Sequence, residues 1–223
     1  PAYNEDKTIL EVLNQVNATK TDKINYEVIV VDDGSTDDTK NILNANSHLY
    51  DQLISNEKNI GKGGAVKIGI ETATGDYIIF QDADLEYDPD DYSKLLKPII
   101  DGNFKVVYGS RVLNQKRYRI TGFSSKVRIF GNHFLTAISN LINNQKLTDA
   151  HTCYKVFHKD IFELIKLEEN DFAFCPEVTS KIAKLGYQIH EVPISYDGRN
   201  YKEGKKIKTI DAFRALKALI KYR

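Results

Sequence analysis

A nearly unbroken run of β-branched and apolar residues, YEVIVV at positions 26–31, limits the fold of this chain more than any other feature. Such a run is typical of a strand buried on both faces, in a parallel sheet covered by helices on each side. The turn DDGSTD at positions 32–37 follows it and supplies caps for a further helix. A helix before the run would place four apolar residues on one face: Ile9, Leu10, Leu13 and Val16. The order of elements predicts an α/β fold.

A second short apolar run, positions 77–80, is followed by six carboxylates and no cation between positions 82 and 91. Asp82 and Asp84 are two residues apart, a spacing that at a strand end directs two oxygen ligands toward one point. Carboxylate oxygens suit Mg²⁺ or Mn²⁺, so we predict a metal at this pair. The later acids are instead predicted to cap a helix that begins near Pro89. Asp33 also follows a strand, and ligands of open α/β sheets bind beyond such strand ends.

Charge is balanced in total but segregated along the chain. The 31 Lys and Arg residues equal the 31 Asp and Glu residues, which argues against a general nucleic-acid-binding protein. Positions 111–128 hold six cations and no acid, and positions 199–223 hold nine cations and two acids. We therefore expect anions to bind in these two segments.

Other features bear on the compartment of the protein. Cys153 and Cys175 form no CxxC pair, which favours reduced thiols in a cytoplasmic protein over a disulfide or a zinc site. There is no signal-peptide pattern and no uncharged apolar run of about 18 residues. The absence of methionine is interpreted as the mark of a fragment or processed chain, with a first strand upstream of Pro1.

The glycine-rich segment NIGKGGA at positions 59–65 opens a predicted helix that runs to about Thr72. It is not a P-loop, because the GxxxxGK spacing is absent and no Ser or Thr follows Lys62. Two interpretations remain open. The glycines either let the backbone approach a ligand or only form a tight turn.

Taken together, the ordered segments PAYNE, VVDDGSTD, NIGKGGA, ATGDYIIFQDADLEYDP, VVYGSR, LTDAHTCYKVF, FCPEVTSKIAKLGY, EVPISYDGR and EGKKI resemble the family 2 glycosyltransferases of GT-A fold. Within that family the chain is similar to the dolichyl-phosphate-mannose-synthase-like branch. The resemblance implies one glycosyltransferase domain over residues 1–223, with a mostly parallel central sheet and helices on both faces. It also implies inverting transfer of a hexose from a UDP- or GDP-sugar.

Carried over by position, the resemblance implies two sets of site residues. The nucleotide-sugar contacts are Pro1, Ala2, Tyr3, Glu5, Asp33, Asp82, Arg199 and Lys205. The metal ligands are Asp82, Asp84 and Glu86, the last with a solvated acid as the alternative. Arg199 and Lys205 would neutralise the departing diphosphate, with a basic linker as the alternative.

The acceptor is left open between two chemistries. For a polyprenyl phosphate the enzyme must bind and aim an anion, and Arg111, directly after the strand at positions 105–109, is the first candidate, followed by Lys126 and Arg128. For a hydroxyl of a polysaccharide or glycolipid, Asp149 would serve as general base; it could also orient a cation or only cap a turn. The phosphate is favoured. A nucleotide-sugar-binding protein without catalysis is the third hypothesis.

Two C-terminal features complete the expectations. Glu177 either serves the site or is a first-turn acid of its helix. The helix Thr209–Tyr222 would present Ile210, Phe213, Leu216, Leu219 and Ile220 on one side, either packed on the domain or against an anionic membrane. A polyprenyl phosphate acceptor implies work at the cytoplasmic face of a membrane, reached through surface helices, a further segment or an anchoring partner.

Overall fold

The computed structural model describes residues 1–21, 24, 26–102, 104–113, 123–199 and 209–223, without the side chains of residues 123–128 and 209. The described helices are α1 Ile9–Ala18, α2 Thr39–Ala45, α3 Lys62–Thr72, α4 Tyr92–Ile100, α5 Phe123–Asn143, α6 Asp160–Leu164, α7 Phe174–Lys184 and α8 Thr209–Tyr222. The described strands are β1 Ile29–Asp32, β2 Gln52–Ser55, β3 Tyr77–Ile79, β4 Val106–Ser110, β5 Lys155–His158 and β6 His190–Pro193. In the described ranges no helix is both long and apolar enough to cross a bilayer.

The strands pair in two groups. β1 and β2 are parallel, with Val30 opposite Leu53. The other four strands lie in the order β3-β5-β4-β6. β4 and β6 are parallel, whereas β5 is antiparallel to both β3 and β4. The predicted parallel pairings are therefore accompanied by a reversed strand, which apolar runs alone do not reveal.

Helices cover both faces of the larger group of strands. Val106 and Tyr108 of β4 pack in one core cluster with Val178 of α7. Val107, between them, packs in the other cluster with Leu95 of α4. Successive side chains of a strand point to opposite faces, so β4 is buried on both sides. The predicted α/β architecture is confirmed.

The boundaries agree with the sequence expectations to within a few residues, with one correction in α1. Leu10 was expected on its buried face, but it is exposed, and Val12 is buried instead. The buried set Ile9, Val12, Leu13 and Val16 is the i, i+3, i+4, i+7 stripe that one face of a helix requires. Leu10 lies about 100° from Ile9 around the helix axis and misses that stripe.

The packed face of α8 also differs from the expectation. Ala215, Ala218, Leu219 and Tyr222 are buried, and Ala218 and Tyr222 pack against Ala173 beside α7. Of the predicted apolar side, Leu219 is buried but Ile210, Phe213 and Ile220 are exposed. Small alanines let helices approach closely although they contribute little to an apolar pattern. The helix packs on the domain, as predicted, but through another face.

The glycines of the NIGKGGA segment allow a close approach between two parts of the backbone. Gly61 has φ +97°, and a Cβ there would lie 2.4 Å from the carbonyl oxygen of Asn170. A Cβ on Gly63 would lie 2.6 Å from the carbonyl oxygen of Glu169. Positive φ and contacts this short require glycine. The segment is thus a tight turn packed against the chain that leads into α7.

We expect Gly63→Ala to lower the free energy of unfolding by about 2 kcal/mol, because the added methyl group must displace backbone atoms. Gly131→Ala in α5 is the matched control. A Cβ there has no neighbour within 4 Å, so better helix propensity should raise stability by about 0.5–1 kcal/mol. Urea unfolding of both variants measures this difference. Equal stability of the two variants would contradict the packing described for Gly63.

Candidate active site

The carboxyl ends of β1, β3, β4 and β6 lead into the segments that carry most of the predicted site residues. β1 ends at Asp32, followed by Asp33, and the chain after β3 carries Asp82 and Asp84. β4 ends at Ser110, directly before Arg111. The chain after β6 carries Arg199. The arrangement follows the general rule that ligands of open α/β sheets bind at these strand ends.

Asp82 is paired with Lys62, the first residue of α3. The Lys62 Nζ lies 2.5 Å from the Asp82 Oδ1, and both side chains are largely buried. The same Nζ lies 3.0 Å from the Sγ of Cys153. Burial alone would raise the pKa of Asp82, but the positive charge of Lys62 lowers it below its ordinary value. Sequence reasoning excluded Lys62 from a P-loop and missed this ion pair, which only the fold reveals.

Arg199 gathers three of the predicted site carboxylates. Its guanidinium lies 3.0 Å from the Glu5 Oε2 and 2.7 Å from the Asp84 Oδ2. Its backbone N–H donates to the Glu86 Oε1 at 2.7 Å. Burial, followed by the negative charges of Asp82 and Glu86, raises the pKa of Asp84 to about 7 despite this cation. The cluster therefore attracts further positive charge.

The turn that holds Asp84 contains a strained residue. Leu85 has φ +58°, a left-handed conformation that is uncommon for a bulky side chain. The turn lets the backbone N–H of Glu86 donate to the Asp84 Oδ1 at 3.1 Å. Strain of this kind persists where surrounding contacts hold it, and it concentrates at functional sites.

Arg111 and Asp149 form a buried, bidentate ion pair. The Arg111 Nε and Nη2 lie 2.6 Å and 2.8 Å from the two Asp149 oxygens. Asn132 of α5 donates to the Asp149 Oδ1 at 3.1 Å. Burial would raise the pKa of Asp149, but the Arg111 charge and these hydrogen bonds hold it well below its ordinary value. Asp149 is thus ionised at neutral pH and oriented toward a cation, one of the roles proposed for it.

Tyr196, which the sequence did not single out, connects the two clusters. Its hydroxyl donates to the Glu86 Oε2 at 2.9 Å. Its ring lies under the Arg111 guanidinium, 5.0 Å from ring centroid to Cζ. It also contacts the ring of Tyr87, with centroids 5.1 Å apart. An aromatic residue in a polar loop carries no local signal of such a position.

The remaining candidates divide into three groups. Ala2 is buried and bonded to β1, and its carbonyl accepts from the N–H of Asp33 at 2.8 Å. Asp33 accepts from the N–H groups of Ile60 and Gly61, so it anchors the glycine-rich turn.

Glu177 is fully buried and accepts from the N–H groups of Glu168 and Glu169, which makes it a structural acid. The side chains of Lys126, Arg128 and Lys205 lie outside the described residues. The nucleotide contacts predicted for Pro1, Ala2, Tyr3 and Asp33 remain predictions.

Residues 1–165 match the family model described as Glycosyl transferase family 2. The chain belongs to glycosyltransferase family 2. The resemblance seen in its motifs is thereby confirmed, and the protein is a glycosyltransferase. A protein that only binds nucleotide sugars is disfavoured.

Two curated relatives within family 2 carry names that include a lipid phosphate. The UDP-N-acetylglucosamine–dolichyl-phosphate N-acetylglucosaminyltransferase of Methanococcus voltae is 31% identical over 213 residues, 87% of this chain and 82% of that protein. The dolichyl-phosphate beta-glucosyltransferase ALG5A of Trichomonas vaginalis is 28% identical over 235 residues, 99% of this chain and 70% of that protein.

Solved structures confirm the GT-A fold of this family 2 member. Glucosyl-3-phosphoglycerate synthase from Mycobacterium tuberculosis, in complex with Mn²⁺, UDP-glucose and phosphoglyceric acid, aligns with a TM-score of 0.74 at 17% identity. The alignment covers 100% of this chain and 77% of that one. The same enzyme with Mg²⁺ and UDP aligns with a TM-score of 0.75 at 20% identity.

His151 lies close to the Arg111–Asp149 pair of this glycosyltransferase, and its burial can be tested through the pH dependence of folding stability. Its Nε2 is buried without a hydrogen-bond partner in the described part of the chain. Burial first, and then the charge of Lys155, lowers its pKa from 6.5 to about 4. Between these values the unfolded chain takes up a proton that the folded protein does not, so stability falls as the pH drops.

We expect this difference to cost up to about 3 kcal/mol of unfolding free energy as the pH falls through the window. His151→Gln should remove that part of the pH dependence, whereas His48→Gln, at an exposed position, should leave it. Urea unfolding at a series of pH values measures it. Identical pH profiles for the His151→Gln variant and the parent would contradict a lowered pKa of His151 in the folded protein.

Proposed function

We propose that this glycosyltransferase moves a hexose from a UDP- or GDP-sugar to a polyprenyl phosphate, with a divalent metal bound at Asp82 and Asp84. The hydrogen bonds and the ionisation of Asp149 are the observation that favours a phosphate acceptor over a hydroxyl. Both of its oxygens accept from Arg111, one also accepts from Asn132, and its pKa is held well below the ordinary range. Such a carboxylate is a poor general base for a hydroxyl. A phosphate acceptor is already ionised and needs none.

The reaction then balances without a proton transfer. An oxygen of the acceptor phosphate attacks the anomeric carbon of the sugar from the face opposite the leaving group. The bond from that carbon to the donor diphosphate breaks, and a nucleoside diphosphate leaves with both electrons of the bond. What the enzyme supplies is position and electrostatic complementarity. In this proposal Arg111, held by Asp149 and lying over Tyr196, orients the acceptor phosphate.

Asp82 and Asp84 suit a metal ion that also binds the donor diphosphate. The described residues form no group of three or more His, Cys, Asp or Glu side chains ready to hold a metal ion. Mg²⁺ commonly takes only one or two carboxylates together with substrate phosphates, so Asp82 and Asp84 suffice as protein ligands. Glu86 stays a prediction as a third ligand. A bound metal would act as a Lewis acid on the donor diphosphate.

Arg199 and the metal compete for Asp84 in this proposal. We expect Arg199→Gln to bind Mn²⁺ about tenfold more tightly in the absence of nucleotide, because a positive charge 2.7 Å from Asp84 is removed. The Mn²⁺ electron paramagnetic resonance signal measures this without turnover. Arg214→Gln, an exposed arginine of α8, is the control. Weaker Mn²⁺ binding by the Arg199→Gln variant would instead make Arg199 a support of the metal site.

A transfer assay tests the function itself. UDP- and GDP-sugars are offered with Mg²⁺, Mn²⁺ or a chelator, together with either a short polyprenyl phosphate or simple glycans. We expect product only with the phosphate and only with metal. Product with glycans but none with the phosphate would contradict the proposal and favour Asp149 as the general base for a hydroxyl acceptor.

The proposal places the enzyme at the cytoplasmic face of a membrane, where a polyprenyl phosphate presents its head group. We treat residues 1–223 as one glycosyltransferase domain. The relatives named for dolichyl phosphate support work at a membrane. Surface helices, a further segment or an anchoring partner protein would attach the enzyme there.

A further inference from the structure

Lys155, the first residue of β5, is a buried cation that the proposed mechanism does not use. Its side chain is fully buried, and lysine is almost never fully buried unless an acid pairs with it. Within the described part of the chain its Nζ has two partners. They are the backbone carbonyl oxygen of Thr152 and the ring of Tyr108, whose centroid lies 4.4 Å from the Nζ. Neither partner is a carboxylate, so the burial of this charge needs another explanation.

The contact with Thr152 fixes one end of the short segment 149–152. The Lys155 Nζ donates to the carbonyl oxygen of Thr152 at that end. At the other end, the backbone N–H of Asp149 donates to the Glu191 Oε1 at 2.9 Å. Asp149 and Thr152 are both fully buried. Side chains from other positions thus hold the segment at both ends, and Lys155 holds the end at Thr152.

The same segment determines the orientation of Arg111. Both oxygens of Asp149 accept from the Arg111 guanidinium, and the Oδ2 also accepts from the backbone N–H of Arg111 at 3.2 Å. Three residues of chain span at most about 10 Å, so the carbonyl that Lys155 binds lies within about that distance of the Asp149 backbone. A displaced Thr152 carbonyl would therefore move Asp149, and with it the guanidinium of Arg111.

A second effect of Lys155 acts through its charge. Burial first, and then the Lys155 charge, lowers the pKa of His151 to about 4, although the negative charge of Asp149 opposes this. A protonated His151 would compete with Arg111 for Asp149. Both effects of Lys155 therefore keep Asp149 paired with Arg111.

We infer that Lys155 is a positioning residue for the acceptor: it holds the segment 149–152 so that Asp149 keeps Arg111 oriented toward an anion. The identity of that anion rests on the proposed function. The effect of Lys155 on the orientation of Arg111 does not, so the two can be tested separately.

Lys159, which follows β5 at its other end, offers a matched control. Its Nζ also donates to a backbone carbonyl oxygen, that of Ala73, at 2.6 Å. Ala73 follows α3 and belongs to no segment that holds Asp149. Replacing Lys159 therefore removes the same kind of hydrogen bond as replacing Lys155, but away from the Arg111–Asp149 pair.

Hydrogen exchange of the Arg111 Nε–H tests the inference without any substrate. This N–H donates to Asp149, so its exchange with solvent, followed by nitrogen-15 NMR, reports how firmly the pair is held. The signal is identified by its loss in Arg111→Lys. We expect Lys155→Met and Lys155→Gln each to speed the exchange about tenfold, and Lys159→Met to change it less than about twofold. Lys155→Gln keeps a polar group on a shorter side chain, which provides a second variant if Lys155→Met does not fold.

Transfer to a short polyprenyl phosphate is measured on the same proteins, below the unfolding temperature of each. We expect the Lys155 variants to lower kcat/KM for the acceptor about tenfold, with the KM for the nucleotide sugar unchanged. The loss should be small when Arg111→Lys is already present. Equal losses for acceptor and nucleotide sugar would overturn the inference, because they indicate a structural role alone.

The exchange measurement separates the remaining outcomes. Unchanged exchange of the Arg111 Nε–H in the Lys155 variants would overturn the inference, and so would equal acceleration by Lys159→Met. Faster exchange in the Lys155 variants alone, without transfer to the polyprenyl phosphate by the parent protein, would refute the proposed function. It would leave the positioning of Arg111 by Lys155 standing.

Discussion

Asp84→Asn is expected to lower kcat for sugar transfer about a thousandfold, because it removes a metal-ligand charge from the point where the diphosphate departs. The side chain keeps its size and a hydrogen-bonding oxygen, so the fold should survive. Burial and two neighbouring carboxylates raise the pKa of Asp84 to about 7, and the neutral amide relieves that repulsion. The free energy of unfolding should therefore be unchanged or slightly higher. Steady-state kinetics and urea unfolding on one preparation separate the two effects.

Asp90→Asn is the matched control for this prediction. Asp90 belongs to the same run of acids but is exposed in the short helix Pro89–Asp91, away from the Arg199 contacts. Its replacement should change kcat less than twofold, in line with a solvated acid. Equal losses in both variants would mean that the total charge of the segment matters. Full activity of the Asp84→Asn variant would remove the acidic pair from the mechanism.

Arg111→Lys is expected to lower kcat/KM for the polyprenyl phosphate about a hundredfold or more. Lysine keeps the charge but loses the planar fork that bonds both oxygens of Asp149 and stacks on Tyr196. Asp149→Asn should cost about tenfold, because Arg111 stays in place but is less firmly oriented. Each change also disturbs a buried ion pair, so we expect a loss of stability of about 3 kcal/mol. Kinetics below the unfolding temperature of each variant measure the catalytic part.

The double variant distinguishes a shared role from separate ones. If Asp149 acts through Arg111, adding Asp149→Asn to Arg111→Lys should cost little more than Arg111→Lys alone. The pH dependence of kcat/KM should show no ionisation that Asp149→Asn removes. If Asp149 is instead a base, its replacement abolishes transfer, whereas Arg111→Lys retains most of it.

Much of the fold was accessible from the sequence because the responsible patterns are local. The second half of the run at positions 26–31 lies in β1. Asp88 accepts from the N–H of Asp90 at the start of the helix Pro89–Asp91, as predicted. The antiparallel direction of β5 was not accessible, since a strand has the same composition in either direction. The packed face of α8 was missed because alanines, which contribute little to an apolar pattern, fill it.

The site was accessible as a set of residues but not as a set of contacts. Arg111 and Asp149 were singled out separately, yet they lie 38 residues apart and their pairing depends on the fold. The ion pair between Lys62 and Asp82 depends on the approach of α3 to the chain after β3. Tyr196 had no distinguishing neighbour in sequence, and its role follows from Glu86 and Arg111 lying on either side of it. Motifs identify chemical groups, and tertiary structure decides their partners.

The central claim is that the acceptor is recognised as an anion. The most direct measurement is the ratio of kcat/KM for a polyprenyl phosphate to that for the polyprenol of the same length, with the same donor and metal. A site built to bind a charged group rejects the analogue that lacks it, so we predict a ratio of about 10⁴ or more. A ratio near one, or product from the alcohol alone, would contradict the account.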